Sequence, residues 1–138
     1  MSNHVCPKIS DSRLISALAC WQFLPEPDSA HEAWVRTLEL LRNHGIAASE
    51  ETQLIVDELA ANAIVHAKTK FELSIELWEH GLRIIVSDLS KRKPVVRYPD
   101  PLQENGRGLF LLDHVAQDWG YHPTETGKCI WARVPVAS

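Results

Sequence analysis

The sequence predicts an α+β domain, a two-layer sandwich in which helices cover one face of a mixed, mostly antiparallel sheet. One observation is size, because 138 residues that are 45% hydrophobic and 23% charged suit a single domain with an apolar core. Another is order, since a strand-like segment precedes two segments with helix signals, and pairs of strand-like segments follow. We expect a loose tail over residues 1–12 and one domain over residues 13–138.

The first strand and the first helix are predicted from composition and capping signals. Residues 13–24, "RLISALACWQFL", mix apolar and polar residues as a strand does, and "PEPDS" closes the segment. Ser29 with Glu32 three positions later forms a capping-box pattern, which predicts a helix beginning at Ala30. Gly45 in "NHG" should end that helix, because glycine readily adopts the left-handed conformation after a helix terminus.

The remaining elements are predicted in the same way. Ser49 opens a second helix, and the two glutamates after it are favoured by the positive end of the helix dipole. Residues 70–78, "KFELSIELW", alternate, and residues 82–87, "LRIIVS", follow a short turn, so together they predict a hairpin. A short helix should follow the glycines of "NGRGLFLLDHV", and "QDWGYHP" and "GKCIWARVPV" predict a second pair of strands.

Charge and cysteine content exclude several classes of protein. The 14 basic and 18 acidic residues give a net charge of -4, which argues against a general affinity for nucleic acid or an anionic membrane. The N-terminus lacks the pattern of a signal peptide and no run approaches about 20 apolar residues, so we expect a cytoplasmic protein. Cys6, Cys20 and Cys129 lack metal-binding or redox spacing, so we expect them to be reduced and structural.

A carboxylate and a carboxamide share one face of the second predicted helix, in "VDELAANAIVHA". At 100° per residue Glu58 and Asn62 lie about 40° apart, inside an apolar arc that includes Ile55 and Val65. A buried polar side chain without a partner costs about 1–3 kcal/mol, so something must compensate. Either Glu58 lies at the surface with Asn62 bonded to a nearby loop, or the two side chains line a pocket as a base and an amide ligand.

Two later segments could complete such a pocket. Asp88 follows the apolar strand residues "IIVS", where a carboxylate can accept a hydrogen bond from a ligand amino group or form an ordinary turn. Gly106 and Gly108 precede an apolar run, and glycines allow the backbone to approach a ligand while a helix N-terminus attracts phosphate. Many loop-to-helix junctions share this pattern. The basic residues 91–93 could meet phosphates or an acidic partner, or could belong to a solvated loop.

Taken in order, these segments resemble the GHKL, or Bergerat-fold, ATPase superfamily over residues 13–136. Residues 58–67, "ELAANAIVHA", look like its N-box, Asp88 stands at its adenine-binding aspartate, and "GRGL" at residues 106–109 resembles its second glycine box. Within that superfamily, the short chain and the segment "GKCIWARVPV" are similar to the stand-alone anti-sigma factor serine/threonine kinases of bacterial partner-switching systems.

The resemblance implies ATP and Mg²⁺ as ligands, and it implies a role for each matching residue. Asn62 would be the magnesium ligand, Glu58 the general base, and Asp88 the acceptor for the adenine amino group. The phosphates would be bordered by Gly106, Arg107, Gly108 and Leu109. Cys129 stands where the family commonly has a threonine that helps to hold the adenine-binding aspartate.

The resemblance also implies a function and partners. The protein would be an anti-sigma factor and a protein serine kinase, which sequesters a sigma factor, phosphorylates a STAS-type anti-sigma-factor antagonist and forms a homodimer. A catalytically weak or inactive module that regulates by protein binding only is the alternative, because the first glycine box, usually D-x-G-x-G, reads "DLSKR" and Cys129 replaces the threonine. A detached histidine-kinase ATPase domain is a third possibility, which the lack of a helical phosphoacceptor segment disfavours.

Overall fold

A computed structural model describes residues 12–94 and 109–136, and it confirms the predicted α+β class. Its elements are β1 (Leu14–Phe23), α1 (Pro27–Asn43), α2 (Glu50–Ala61), a π-helix (Asn62–Ala67), β2 (Phe71–Trp78), β3 (Gly81–Asp88), α3 (Phe110–Val115), β4 (Asp118–Pro123) and β5 (Lys128–Val134). The predicted order of strands and helices is therefore correct. None of the helices in the described ranges combines the length and the apolar character needed to cross a membrane.

The five strands form one sheet in the order β1-β2-β3-β5-β4. The prediction allowed for a mixed sheet, and each of the four pairings is antiparallel. The predicted hairpin is β2 and β3, which pair in register from Phe71 opposite Asp88 to Trp78 opposite Gly81. Because β5 lies between β3 and β4, the end of β3 is placed directly beside the start of β5.

One face of the sheet packs against the helices and forms the core. Ile75 of β2 lies opposite Ile84 of β3, and both side chains are fully buried. Ile55 and Leu59, four residues apart on α2, are fully buried in the same cluster. Burying side chains of this kind contributes about 1.5–3 kcal/mol each, so the strand alternation and the helix period together hold α2 on the sheet.

Helix α1 begins three residues before the predicted start at Ala30, so the capping-box interpretation of Ser29 is wrong. Glu26 is the N-cap with an extended backbone, and Pro27 occupies the first helical position. Proline suits that position because its fixed φ is already helical and its missing N–H would have no partner there. Ser29 is buried within the first turn. The predicted stop is confirmed, since Gly45 follows the helix with φ +68°.

Helix α2 begins as predicted, and its end differs from a regular α-helix. The Ser49 hydroxyl accepts a hydrogen bond from the Thr52 N–H at 3.1 Å, which confirms the cap. After Ala61 the chain continues as a π-helix, in which the Lys68 N–H donates to the carbonyl of Ala63, five residues earlier. The wider turn changes the angle per residue, so Val65 is 56% exposed and the expectation that it shares an apolar arc is wrong.

Candidate functional site

A cavity of about 160 Å³ lies where the π-helix, the segment after β3 and the start of β5 meet. Its lining consists of Asn62, His66, Ala67, Ser90, Arg92, Lys93, Pro94 and Lys128. Three of these side chains are lysine or arginine, and no aspartate or glutamate belongs to the described lining. A concave surface of this charge attracts an anionic ligand.

Asn62 is the most informative side chain of the lining. It is 3% exposed, and its Nδ2 has no hydrogen-bond partner among the described residues. A buried amide nitrogen left in this state costs about 1–3 kcal/mol, and an acceptor on a bound ligand, such as a phosphate oxygen, can supply the partner that this donor lacks. Asn62 also begins the π-helix, a feature that occurs frequently at functional sites. The structure therefore supports the pocket interpretation for this residue.

Glu58 lies one helical turn before Asn62, and the Asn62 N–H donates to its carbonyl oxygen. The Glu58 side chain is half-buried and does not belong to the described lining of the cavity. Residues four apart on a helix are neighbours, with Cβ atoms about 5–6 Å apart. This spacing places the two residues one turn apart, and the role of Glu58 as a base stays a prediction.

The donors at this position fit a magnesium ion that arrives with a nucleotide. Magnesium is usually held by one or two protein oxygens, with phosphate oxygens and waters completing its six ligands. The Asn62 side chain has one such oxygen, Oδ1, and its Nδ2 could donate to a phosphate oxygen of the same nucleotide. Among residues 12–94 and 109–136 no group of three histidine, cysteine or acidic side chains could enclose a metal by itself. The role of Asn62 as a magnesium ligand stays a prediction.

Asp88, the last residue of β3, lies opposite Lys128, the first residue of β5. The Lys128 ammonium donates to Asp88 Oδ1 at 3.1 Å and lies 3.0 Å from Oδ2. The Ser90 N–H donates to Oδ1 at 2.8 Å, while Oδ2 has no donor in hydrogen-bonding geometry within the described chain. Both residues are buried, with 3% of Asp88 and 4% of Lys128 exposed. Lys128 lines the cavity and Asp88 does not.

The turn between β4 and β5 fixes this pairing. The Thr124 N–H donates to the Gly127 carbonyl at 2.9 Å, and the Gly127 N–H donates to the Thr124 hydroxyl at 3.0 Å. Lys91 reaches the same turn, with its ammonium 3.4 Å from the Thr124 carbonyl oxygen. These reciprocal bonds hold the chain just before Lys128, so the position of its side chain follows from local turn chemistry.

The basic segment after β3 is folded against the cavity. The Leu89 N–H donates to the Thr69 hydroxyl at 3.0 Å, and the Arg92 N–H donates to the Ser90 hydroxyl at 3.2 Å. Arg92 is exposed and also lines the cavity. Of the two interpretations left open for residues 91–93, the lining favours contact with an anion, because solvated cations at a pocket mouth attract phosphate.

The predicted second glycine box, residues 106–109, contributes no residue to the described lining of the cavity. Gly106, Arg107 and Gly108 lie outside the described residues, so their predicted role at the phosphates stays a prediction. Leu109 is fully buried in the core at the start of α3, so its side chain serves packing, which leaves only its backbone for a ligand.

Cys129 does not lie opposite Asp88, because its partner across β3 and β5 is Ser87. Successive strand residues point to opposite faces, so Cys129 projects away from the face that carries Lys128. It is fully buried and disulfide-bonded, and the expectation that the cysteines are reduced is wrong for this residue. Cys20 is free, as expected, and its side chain is exposed.

Lys128 was not identified from the sequence as a site residue, although the residues around it contain a signal. A lysine beside a glycine at the start of an apolar strand is unusual, because lysine is rarely buried without a paired charge. Its pairing depends on the register between β3 and β5, and the two residues are 40 positions apart. No local pattern contains that information.

Comparison with known proteins agrees with this geometry. Residues 23–134 match the family model described as the histidine kinase-like ATPase domain. A comparison with curated proteins found no match. The matched range includes every described residue of the cavity lining, and the family implies ATP binding and chemistry of the ATPase or kinase type. Since the match extends over most of the sequence, the chain belongs to the histidine kinase-like ATPase family.

Proposed function

We propose that this protein is an anti-sigma factor and an ATP-dependent protein serine kinase. It would sequester a sigma factor in the cytoplasm, act as a homodimer, and inactivate a STAS-type anti-sigma-factor antagonist by phosphorylating a serine. The observation that carries the proposal is the basic cavity lined by Asn62, whose buried Nδ2 has no hydrogen-bond partner among the described residues, in a chain whose family implies ATP. The choice of the serine kinase group rests on the resemblance of "GKCIWARVPV" to the closing strand of that group.

Different described residues would contribute to phosphate binding and to magnesium binding during phosphoryl transfer. Arg92 and Lys93 line the cavity and would bind phosphate oxygens as charged donors. The amide oxygen of Asn62 would bind the magnesium ion of the nucleotide. When bound, that ion neutralises charge on the phosphates. Catalysis of this kind depends mainly on positioning and electrostatics, which a fixed basic lining supplies.

Glu58 would act on the acceptor serine. As the serine oxygen forms its bond to the γ-phosphorus, the bond from that phosphorus to the bridging oxygen of ADP breaks. The serine proton moves to the carboxylate of Glu58, which must be ionised to receive it. The helical spacing of Glu58 and Asn62 supports this role, because it places the base within one turn of the residue that holds the metal.

A second candidate function is regulation by protein binding alone. The Lys128–Asp88 ion pair favours it, because the carboxylate expected to bind adenine already has a partner. The missing glycines in residues 88–92 favour it as well, since that loop cannot approach a nucleotide as closely as a glycine-containing loop. This alternative keeps the fold and the partners and removes phosphoryl transfer.

The test combines binding with transfer. Purified protein is titrated with ATP and with GTP, each with magnesium, and is then incubated with γ-labelled ATP and STAS-type antagonists. The proposal expects selective ATP binding and an acid-stable phosphoserine. An acid-labile phosphate on histidine would instead support the histidine kinase alternative. Absence of nucleotide binding by folded protein would contradict the kinase proposal and favour the binding module.

A matched pair of variants assigns the base. Glu58→Gln should retain ATP binding and lose transfer by about 10²–10⁴-fold, which is the typical contribution of a general base. Glu39→Gln is the control, because it makes the same chemical change on the exposed side of α1. Transfer that is equally fast in both variants would remove Glu58 from the mechanism.

A further inference from the structure

We infer that Lys128 controls base recognition in this cavity by occupying the carboxylate of Asp88, so that a purine base gains access only when their ion pair opens. The inference rests on the proposed function, because it concerns nucleotide at the same site. It adds Lys128 and a closed state of the site to that function. In the described structure the ammonium group of Lys128 is paired with the buried carboxylate of Asp88, which would recognise the base.

The carboxylate is closed by two donors and by burial. Oδ1 of Asp88 accepts from the Ser90 N–H at 2.8 Å and from Lys128 at 3.1 Å. Oδ2 lies 3.0 Å from the same ammonium and is buried. An ionised carboxylate can accept about four hydrogen bonds, so Asp88 retains capacity for a base amino group, and what it lacks is access.

The size of the cavity agrees with a closed state. Its volume of about 160 Å³ is smaller than the roughly 300–1,000 Å³ of ordinary small-molecule pockets. Lys128 both lines this space and pairs with Asp88, so we expect withdrawal of its side chain to enlarge the cavity and to expose the carboxylate. Lysine suits such a movement, since its ammonium lies at the end of a flexible four-carbon stem.

Charge compensation identifies the ligand that opens the pair. Separating a buried pair leaves two uncompensated charges, which is costly unless each finds a new partner. The amino group of adenine can donate to Asp88, and a phosphate group can accept from the released Lys128. Adenosine satisfies only the first requirement, whereas ADP and ATP satisfy both. The site should therefore discriminate strongly between a nucleoside and its phosphorylated forms.

The experiment is calorimetric titration of the wild type, Lys128→Met and Lys128→Arg with adenosine, ADP and ATP, the nucleotides with magnesium. We expect Lys128→Met to bind adenosine on the order of tenfold or more tightly than the wild type, because no ammonium competes for Asp88. The ratio of ATP affinity to adenosine affinity should fall by a similar factor. Lys128→Arg keeps a cation that can pair in bidentate fashion, so it should bind adenosine no better than the wild type.

Controls separate this inference from folding and from the proposed function. Circular dichroism establishes that each variant is folded, and Arg42→Met is the control, because it removes an exposed cation from the last turn of α1, outside the described lining of the cavity. If the wild type binds ATP and folded Lys128→Met binds adenosine no more tightly, the inference is wrong and the proposed function stands. If no form binds any of the three ligands, both are wrong.

Discussion

Gly127 lies so close to the end of β3 that a methyl group on it would overlap the carbonyl oxygen of Asp88 and approach the Cα of Leu89 to 2.7 Å. All of these neighbouring atoms belong to the backbone, so a methyl group could be accommodated only by a shift of the backbone. Only glycine allows β5 to begin at this distance from β3. The register that brings Lys128 to Asp88 therefore depends on a residue that contributes no side chain.

Gly127→Ala should lower the free energy of unfolding by about 1–3 kcal/mol, the typical cost of forcing extra atoms into a packed position. It should also reduce affinity for ATP, because the end of β3 and the start of β5, which carry Asp88 and Lys128, are displaced from the cavity. Gly45→Ala is the control, since Gly45 has open space and only a left-handed backbone, which costs alanine about 1–2 kcal/mol. Urea denaturation and calorimetry check both effects. Equal ATP affinity in the two variants would contradict the assignment.

Ser49→Ala and Ser29→Ala test the two predicted helix starts against each other. Ser49→Ala removes the hydroxyl that accepts from Thr52, so it should destabilise the protein by about 0.5–2 kcal/mol. Ser29→Ala lies within the first turn of α1, where alanine is a better helix former, and stability should be unchanged or slightly higher. Thermal unfolding of both variants is sufficient. A larger loss for Ser29→Ala would restore the capping-box interpretation.

Asn62→Ala should weaken the binding of ATP with magnesium and have little effect on the stability of the protein. The buried Nδ2 has no partner in the described chain, so removing the amide also removes the cost of burying it, and the free energy of unfolding should change little. Affinity for ATP in the presence of magnesium should fall by about tenfold or more, while affinity without magnesium should be nearly unchanged. Calorimetric titration with magnesium and with a chelator measures the difference. A loss that does not depend on magnesium would assign Asn62 to direct contact with the nucleotide.

Asp57→Asn should make stability less dependent on pH. Burial raises the pKa of Asp57, and His31 opposes that shift only in part. A raised pKa in the folded state means that the contribution of the carboxyl group is fully present below its unfolded value of about 3.9 and is lost as pH rises through the folded value. The variant should thus gain stability relative to the wild type as the pH rises above about 3.9, and the gain should be small because solvent screens this half-exposed group.

Unfolding at several pH values tests that sign. Glu39→Gln, on the exposed side of α1, provides a matched removal of one carboxylate. If Asp57→Asn loses stability relative to the wild type as pH rises, the physical cause assigned to the shift is wrong.

Features that depend on neighbouring residues were predictable from the sequence. The cap at Ser49, the stop at Gly45 and the hairpin of β2 and β3 each need only a few adjacent positions. Ser29 shows how such a pattern fails, because a capping box was present and Pro27 two residues earlier supplied a better first position. A local sequence signal is reliable where no second signal nearby favours a different start or end for the same element.

Features that depend on distant pairing were not predictable. Asn62 and Asp88 could be singled out as candidates, but the partner of Asp88 is set by the register of β5 against β3. The π-helix was also missed, since a search for the 3.6-residue period does not allow for a turn that widens at Asn62. Two candidate residues of the site could therefore be predicted from the sequence, whereas the ion pair between Lys128 and Asp88 could not.

The position of β5 in the sheet has a consequence during synthesis. Asp88 is made 40 residues before Lys128, which at about 5–20 residues per second is a delay of roughly 2–8 seconds. Throughout that interval β3 has β2 on one side and an unpaired edge on the other, and β4 has no strand to join. Helices α1 and α2 and the hairpin of β2 and β3 therefore leave the ribosome first, and the cavity is completed only when β5 enters between β3 and β4.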